Sequence, residues 1–146
     1  MTAPRRVIRV RDVMKREVDI VDGLMTVADA LRRMQHVDTK SLIVDKRHDD
    51  DEYGIVLLSD IARHVLARDR APDRVNVYEI MSKPVVAVDP AMDIRYCARL
   101  FDKFGLSRAP VIEDGKVIGV ISYTDMVLKG LAADIVGDAP AAGKVR

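Results

Sequence analysis

The side chains able to do chemistry are few, and their spacing does not assemble a catalyst. His36, His48 and His64 show no HExxH or other paired ligand spacing, so no transition-metal site is legible in them. The run His48–Glu52, HDDDE, carries oxygen ligands suited to Mg²⁺ or Ca²⁺, but between two apolar runs it reads better as a solvated acidic hairpin tip. Ser59, Asp60 and His64 lie close in sequence, yet a hydroxyl at a helix start and an imidazole a turn later need not converge as a triad. No GxxxxGK[ST] loop, GxSxG elbow or strand-borne GxGxxG is found. Cys97 falls on an apolar helical stripe and reads as a buried small hydrophobe. The expectation is a non-enzyme with no metal and no cofactor.

The elements that must position any site come from a repeat. VRDVM, ending at Met14, is matched by VYEIM, ending at Met81, an offset of 67 positions. Thr26 and Asp93 then open stretches of helical period. Val27, Ala30, Leu31, Met34 and Val37 in the first copy match Ile94, Cys97, Ala98, Phe101 and Phe104 in the second. Thr26 with Asp29 resembles a capping box, and Asp93 is a good N-cap. Short apolar runs follow, SLIVD from Ser41 and APVIED from Ala109, at an offset of 68 if the second copy gained a residue near Gly105. Second runs begin at Tyr53 and Ile118, with Gly54 and Gly119 equivalent, and Asp114-Gly115 marks a tight hairpin. Ser59-Asp60 and Thr124-Asp125 supply caps for a closing helix in each copy.

Each copy therefore reads strand, helix, strand, strand, helix. The fold class is α/β (α+β), with two pseudo-twofold-related repeats, each a small three-stranded sheet with two helices. Repeat 1 spans 7–68, a polar connector 69–76, repeat 2 spans 77–132, and a loose tail 133–146. Units this small bury little apolar surface alone, so the copies are expected to pack sheet against sheet, leaving clefts in which to seek a ligand.

From Val10 to Gly130 the pattern resembles the CBS domain in its tandem-pair form, the Bateman-type module. DVM and EIM at the unit starts carry the resemblance, with KPVVAV at Lys83–Val88, SRAPVIEDGKVIGVISYTD at Ser107–Asp125 and the weaker KSLIVD…YGIVLLSD at Lys40–Asp60. The resemblance implies AMP, ADP, ATP or a related adenosyl ligand in the inter-repeat cleft. It implies ribose contacts from Gly119, Ser122 and Asp125, since the family places Ser or Thr at +3 and Asp at +6 from a glycine. An ionised Asp at a helix start can accept from both ribose hydroxyls. Lys83, Pro84 and Val85 would flank the purine. Ser107 and Arg108, ahead of Ala109 and Pro110, would lie near phosphate, which suits an arginine fork. The first copy keeps Gly54 and Asp60, with Lys40 and Ser41 before its strand, but has Leu57 at +3. It is expected to be a weaker or degenerate second site.

Composition limits the partners. Lys and Arg total 24 against 23 Asp and Glu, a net charge of +1, which disfavours polyanion binding. Arg5, Arg6, Arg9 and Arg11 read as a flexible solubilising arm, so nucleic acid is not expected. A hydrophobic fraction of 49% supports a core, and no run reaches the roughly 18 apolar residues of a membrane span. The single cysteine fits a reducing, cytoplasmic compartment. The expectation is a homodimeric sensor that signals to a separate regulated protein. The alternative is a ligand-free structural dimerisation module.

Overall fold

A computed structural model describes residues 6–137. Its elements are α1 (Val10–Val13), β1 (Ile20–Val21), α2 (Val27–Arg33), β2 (Ser41–Val44), β3 (Gly54–Leu57), α3 (Leu58–Ile61), α4 (Ile94–Phe104), β4 (Arg108–Glu113), β5 (Lys116–Ser122), α5 (Tyr123–Asp125) and α6 (Ala132–Gly137). The chain forms two compact units that do not coincide with the sequence repeats. Residues 17–86 make one, while the described residues up to 16 join those from 87 onward in the other. Each repeat's opening segment thus folds into the unit built mainly from the other repeat.

In the unit of residues 17–86, β1 pairs parallel with β2, and β2 pairs antiparallel with β3 from Ser41 opposite Leu57 to Val44 opposite Gly54. Thr26 starts α2 by accepting a hydrogen bond from Asp29 N at 3.1 Å. The reciprocal half of the expected capping box is absent, because the Asp29 carboxylate turns to Arg32 at 2.5 Å. Val27 and Ala30 are buried, whereas Leu31 and Val37 are exposed; α2 ends at Arg33, too early to carry the stripe further. Asp19 accepts from Gln35 N and His36 N, both at 2.9 Å, and so fixes the chain as it leaves α2. The connector 69–76 is tied down at its end: Val75 is buried and its carbonyl accepts from Val27 N.

The other unit builds β4 and β5 into an antiparallel hairpin from Arg108 opposite Ser122 to Glu113 opposite Lys116. Its turn is Asp114-Gly115, with φ of 52° and 76°, the positive pair that a two-residue hairpin turn needs. The expected opening strand of the second copy is reduced to single bridges, Ser82 to Ile55 in the first unit and Val88 parallel to Val111 here. Pro84, between the two bridges, and Pro90, just beyond them, have no N–H to extend a ladder. Asp93 caps α4 by accepting from Arg95 N at 2.8 Å. Ile94, Cys97 and Phe101 form its buried stripe, and Gly105 at φ 67° ends it, with Leu106 N bonding back to Phe101 O. Phe104, expected on that stripe, is exposed as the last helical residue.

The amino-terminal stretch is anchored from residue 8 onward. Ile8, Val10, Val13 and Met14 share one core with Phe101 and Ile121, and Arg9 donates to Ala91 O at 2.6 Å. The described part of the expected arm is thus folded, and Arg5 lies outside the described residues. α6 runs to Gly137, into the stretch expected as tail, whose residues 138–146 lie outside the described residues.

Candidate functional site

The two ladders give the true register between the repeats. Ser41 faces Leu57 where Arg108 faces Ser122, and Val44 faces Gly54 where Val111 faces Gly119. Leu58 N donates to Lys40 O, and Tyr123 N donates to Ser107 O. The offset between the first strands of the two hairpins is therefore 67 rather than 68, so no residue was gained near Gly105. Ser41 is the counterpart of Arg108, and Lys40 that of Ser107.

Gly119 is set by the chain lying over it. A β-carbon at that position would sit 2.5 Å from Lys15 O and 2.8 Å from Met14 Sδ. Lys15 and Val120 exchange both backbone hydrogen bonds there, each at 2.9 Å. Gly54 meets Met81 Sδ at 2.9 Å in the same way, beside the Ser82–Ile55 bridge. In both repeats the glycine admits a close crossing of the segment that opens the other repeat.

Three residues on, the caps differ from expectation. Ser122, not Thr124, is the N-cap of α5, accepting from Asp125 N at 3.2 Å. Asp125 stands at the third helical position and accepts from Ser122 N and Ser122 Oγ, each at 3.0 Å. The reciprocal arrangement closes a capping box. In the first repeat Leu57, not Ser59, holds the cap position, and Asp60 accepts from its N–H at 2.8 Å and from Arg63 at 2.7 Å. Ser59 is exposed, and the hydrogen bonds of the Asp60 carboxylate among the described residues come from Leu57 N and Arg63. A wider π-helical turn follows each carboxylate, over 62–66 and 126–131.

The second oxygen of Asp125 belongs to a residue the motif did not reveal. Lys15 Nζ donates to Oδ1 at 2.5 Å, and Lys129 Nζ lies 3.3 Å away. The Asp125 side chain is 1% exposed and that of Lys15 is 21%. Burial alone would raise the Asp125 carboxyl, but the Lys15 bond and charge, with the Ser122 donors, outweigh it and hold the carboxyl below its ordinary value. Arg108 is pulled below its usual value by burial, opposed by the Asp125 charge. Arg108 Nε and Ser41 Oγ are the buried side-chain polar atoms without a hydrogen-bond partner among the described residues. They occupy the same ladder position in the two hairpins.

The remaining expected residues fall as follows. Ala109 is buried in the core of the second hairpin's unit, and Pro110 O accepts from Val88 N. Lys40 is exposed at φ 55°. Lys83, Pro84 and Val85 belong to the unit of residues 17–86, where Val85 N donates to Tyr53 O at 3.3 Å. Lys83 lines a hollow of about 910 Å³ with Val44, Tyr78 and Met81. Its ammonium bonds Asp51 at 2.8 Å, and Asp51 also takes Arg47 at 3.1 Å. The acidic run is therefore not wholly a solvated tip. Asp51 is 8% exposed and its carboxyl lies far below the usual range, held by Lys83 first and Arg47 second.

Comparison with known proteins gives one family model, two relatives and two solved structures. The CBS domain family model matches residues 10–67 and 77–130. An uncharacterized protein of Methanopyrus kandleri is 29% identical over 126 residues, 84% of this chain and 62% of that protein. One of Methanocaldococcus jannaschii is 28% identical, and this chain again spans 62% of its length. Among solved structures, the hexameric CBS-CP12 protein from bloom-forming cyanobacteria is 39% identical at a TM-score of 0.82, covering 92% of this chain and 76% of that one. The CBS domain pair of protein MJ0100, solved in complex with 5′-methylthioadenosine and S-adenosyl-L-methionine, aligns at a TM-score of 0.73. It is 20% identical and covers 87% of this chain and 98% of that one.

Proposed function

The chain belongs to the CBS domain family, and from that footing we propose that it is a regulatory module that binds an adenine nucleotide and catalyses nothing. The ligand is AMP, ADP, ATP or a related adenosyl compound, and the bound state signals to a separate protein. The observation that supports the reading is Asp125, an ionised carboxylate at a helix start with the Ser122 hydroxyl on it and Arg108 close by. A carboxylate so placed accepts the vicinal hydroxyls of a ribose, and a guanidinium suits a phosphate. The adenosyl ligands of the MJ0100 pair favour the same class at the level of the fold.

One competent site per chain follows from the comparison of the repeats. Leu57 replaces Ser122 and Ser41 replaces Arg108, so the first repeat lacks the cap hydroxyl at the one position and the guanidinium at the other. Self-association accompanies the role, as the hexameric cyanobacterial neighbour does, and the buried single cysteine suits a reducing compartment such as the cytoplasm.

A thermal-shift panel of AMP, ADP, ATP and S-adenosylmethionine tests the reading, with Asp125→Ala as control. Binding raises the melting temperature of the wild type by mass action and not that of the variant. A second reading, a structural association module without a ligand, is favoured by the full occupancy of both Asp125 oxygens by Lys15 and Ser122. It predicts no shift with any member of the panel. Two equal high-affinity sites per chain by calorimetry would overturn the single-site assignment.

A further inference from the structure

Asp125 is one carboxylate among three cationic side chains. Lys15 and Lys129 both face Oδ1, and Arg108, opposite Ser122 in the ladder, carries a buried Nε without a partner. The matching positions in the unit of residues 17–86 are Ser82, His64 and Ser41, and its carboxylate Asp60 takes the Leu57 N–H and, among the described residues, one cation, Arg63. The cationic set is therefore peculiar to the unit built on the second hairpin.

Lys15 is also the cover. Its backbone is fixed to Val120 by two hydrogen bonds, so only the side chain is able to swing. The Asp125 side chain is 1% exposed with the Lys15 ammonium on Oδ1, so a ribose hydroxyl reaches that oxygen by displacing the ammonium. That exchange replaces an ion pair with a hydrogen bond from a neutral donor and leaves an ammonium beside two further cations, which is unfavourable for an uncharged ligand. A ligand with a phosphate supplies an acceptor for the displaced ammonium and for Arg108 Nε at once.

We propose, resting on the adenine-nucleotide reading, that Lys15 is the specificity-determining residue of the second-repeat site. It yields Asp125 to a ribose only when the ligand brings an anionic group. Nucleoside phosphates are thereby admitted, and uncharged or cationic adenosyl compounds are turned away.

Calorimetric titration of AMP and adenosine into the wild type, Lys15→Met and Lys15→Gln tests this. The wild type is expected to prefer AMP by roughly tenfold or more, with a preference that shrinks as salt rises. In either variant adenosine gains and the preference falls roughly tenfold, while Lys15→Arg retains it. A purely structural lysine would change both affinities together and leave their ratio alone. An unchanged ratio in both variants, with AMP still bound, overturns the role of Lys15 and leaves the nucleotide reading standing. Absence of binding by either ligand to every protein overturns both.

Discussion

The backbone oxygen of Lys15 lies 2.5 Å from where a β-carbon on residue 119 would sit. Gly119 is thus required by the fold before any ligand is considered. The family motif and the crossing of the amino-terminal segment impose the same residue for different reasons. Gly119→Ala forces a clash with backbone, which cannot yield as a side-chain end does. A loss of about 2–3 kcal/mol is expected in urea unfolding. Gly54→Ala meets first the flexible end of Met81 and is expected to cost about 1 kcal/mol or less. Equal costs would contradict the crossing as the cause.

Acid stability carries the signature of the Asp125 carboxyl. Its folded value is depressed below the ordinary 3.8. The stability it contributes is therefore complete above that unfolded value and is lost as pH falls through the depressed folded one. Asp125→Asn should remove this part of the acid dependence while leaving the slope between pH 5 and pH 7 unchanged. Melting curves from pH 7 down to pH 2 measure it. A variant with the same acid slope as the wild type would contradict the assignment.

The thiol of Cys97 on α4 is buried in the core that α4 shares with the amino-terminal segment, and burial pushes it up to about 11. It should react with iodoacetamide at pH 8 only as fast as the protein opens. Alkylation monitored by mass spectrometry should be slow in buffer and immediate in denaturant. Fast labelling of the folded chain would place the cysteine elsewhere.

The pair Lys83–Asp51 ties the first repeat's insertion to the segment after Met81. Asp51→Ala should free the Lys83 ammonium and speed amide exchange at Val85, whose N–H holds Tyr53 O. Hydrogen exchange read at Val85 and at Ile43 separates this local loosening from global unfolding. Unaltered exchange at Val85 would show the pair to be idle.

What the sequence made legible is local. The period of Ile94, Cys97 and Phe101, the cap at Asp93 and the Asp114-Gly115 turn each depend on neighbours a few positions away, and each stands as read. Lys15 was illegible because its partner lies 110 positions along the chain and nothing in VRDVMK marks a lysine for a carboxylate. The hydroxyls of Thr124 and Ser59, each next to Asp, look like helix caps in sequence, but the strands end at Ser122 and Leu57 and hand over directly to helix. The offset of 68 failed because similar apolar letters were aligned, whereas hydrogen-bond register identifies Ser41 with Arg108. Leu57, the first repeat's counterpart of Ser122, is legible in the sequence and is the reason to expect unequal sites.

Calorimetry with AMP and its 2′,3′-dideoxy analogue, on the wild type and Asp125→Ala, probes the sugar contact itself. Removing either the carboxylate or the two hydroxyls should weaken binding to a similar extent, by roughly tenfold or more, and removing both should cost little beyond one. If Asp125→Ala binds AMP as tightly as the wild type does, the carboxylate holds no ribose and the account is wrong.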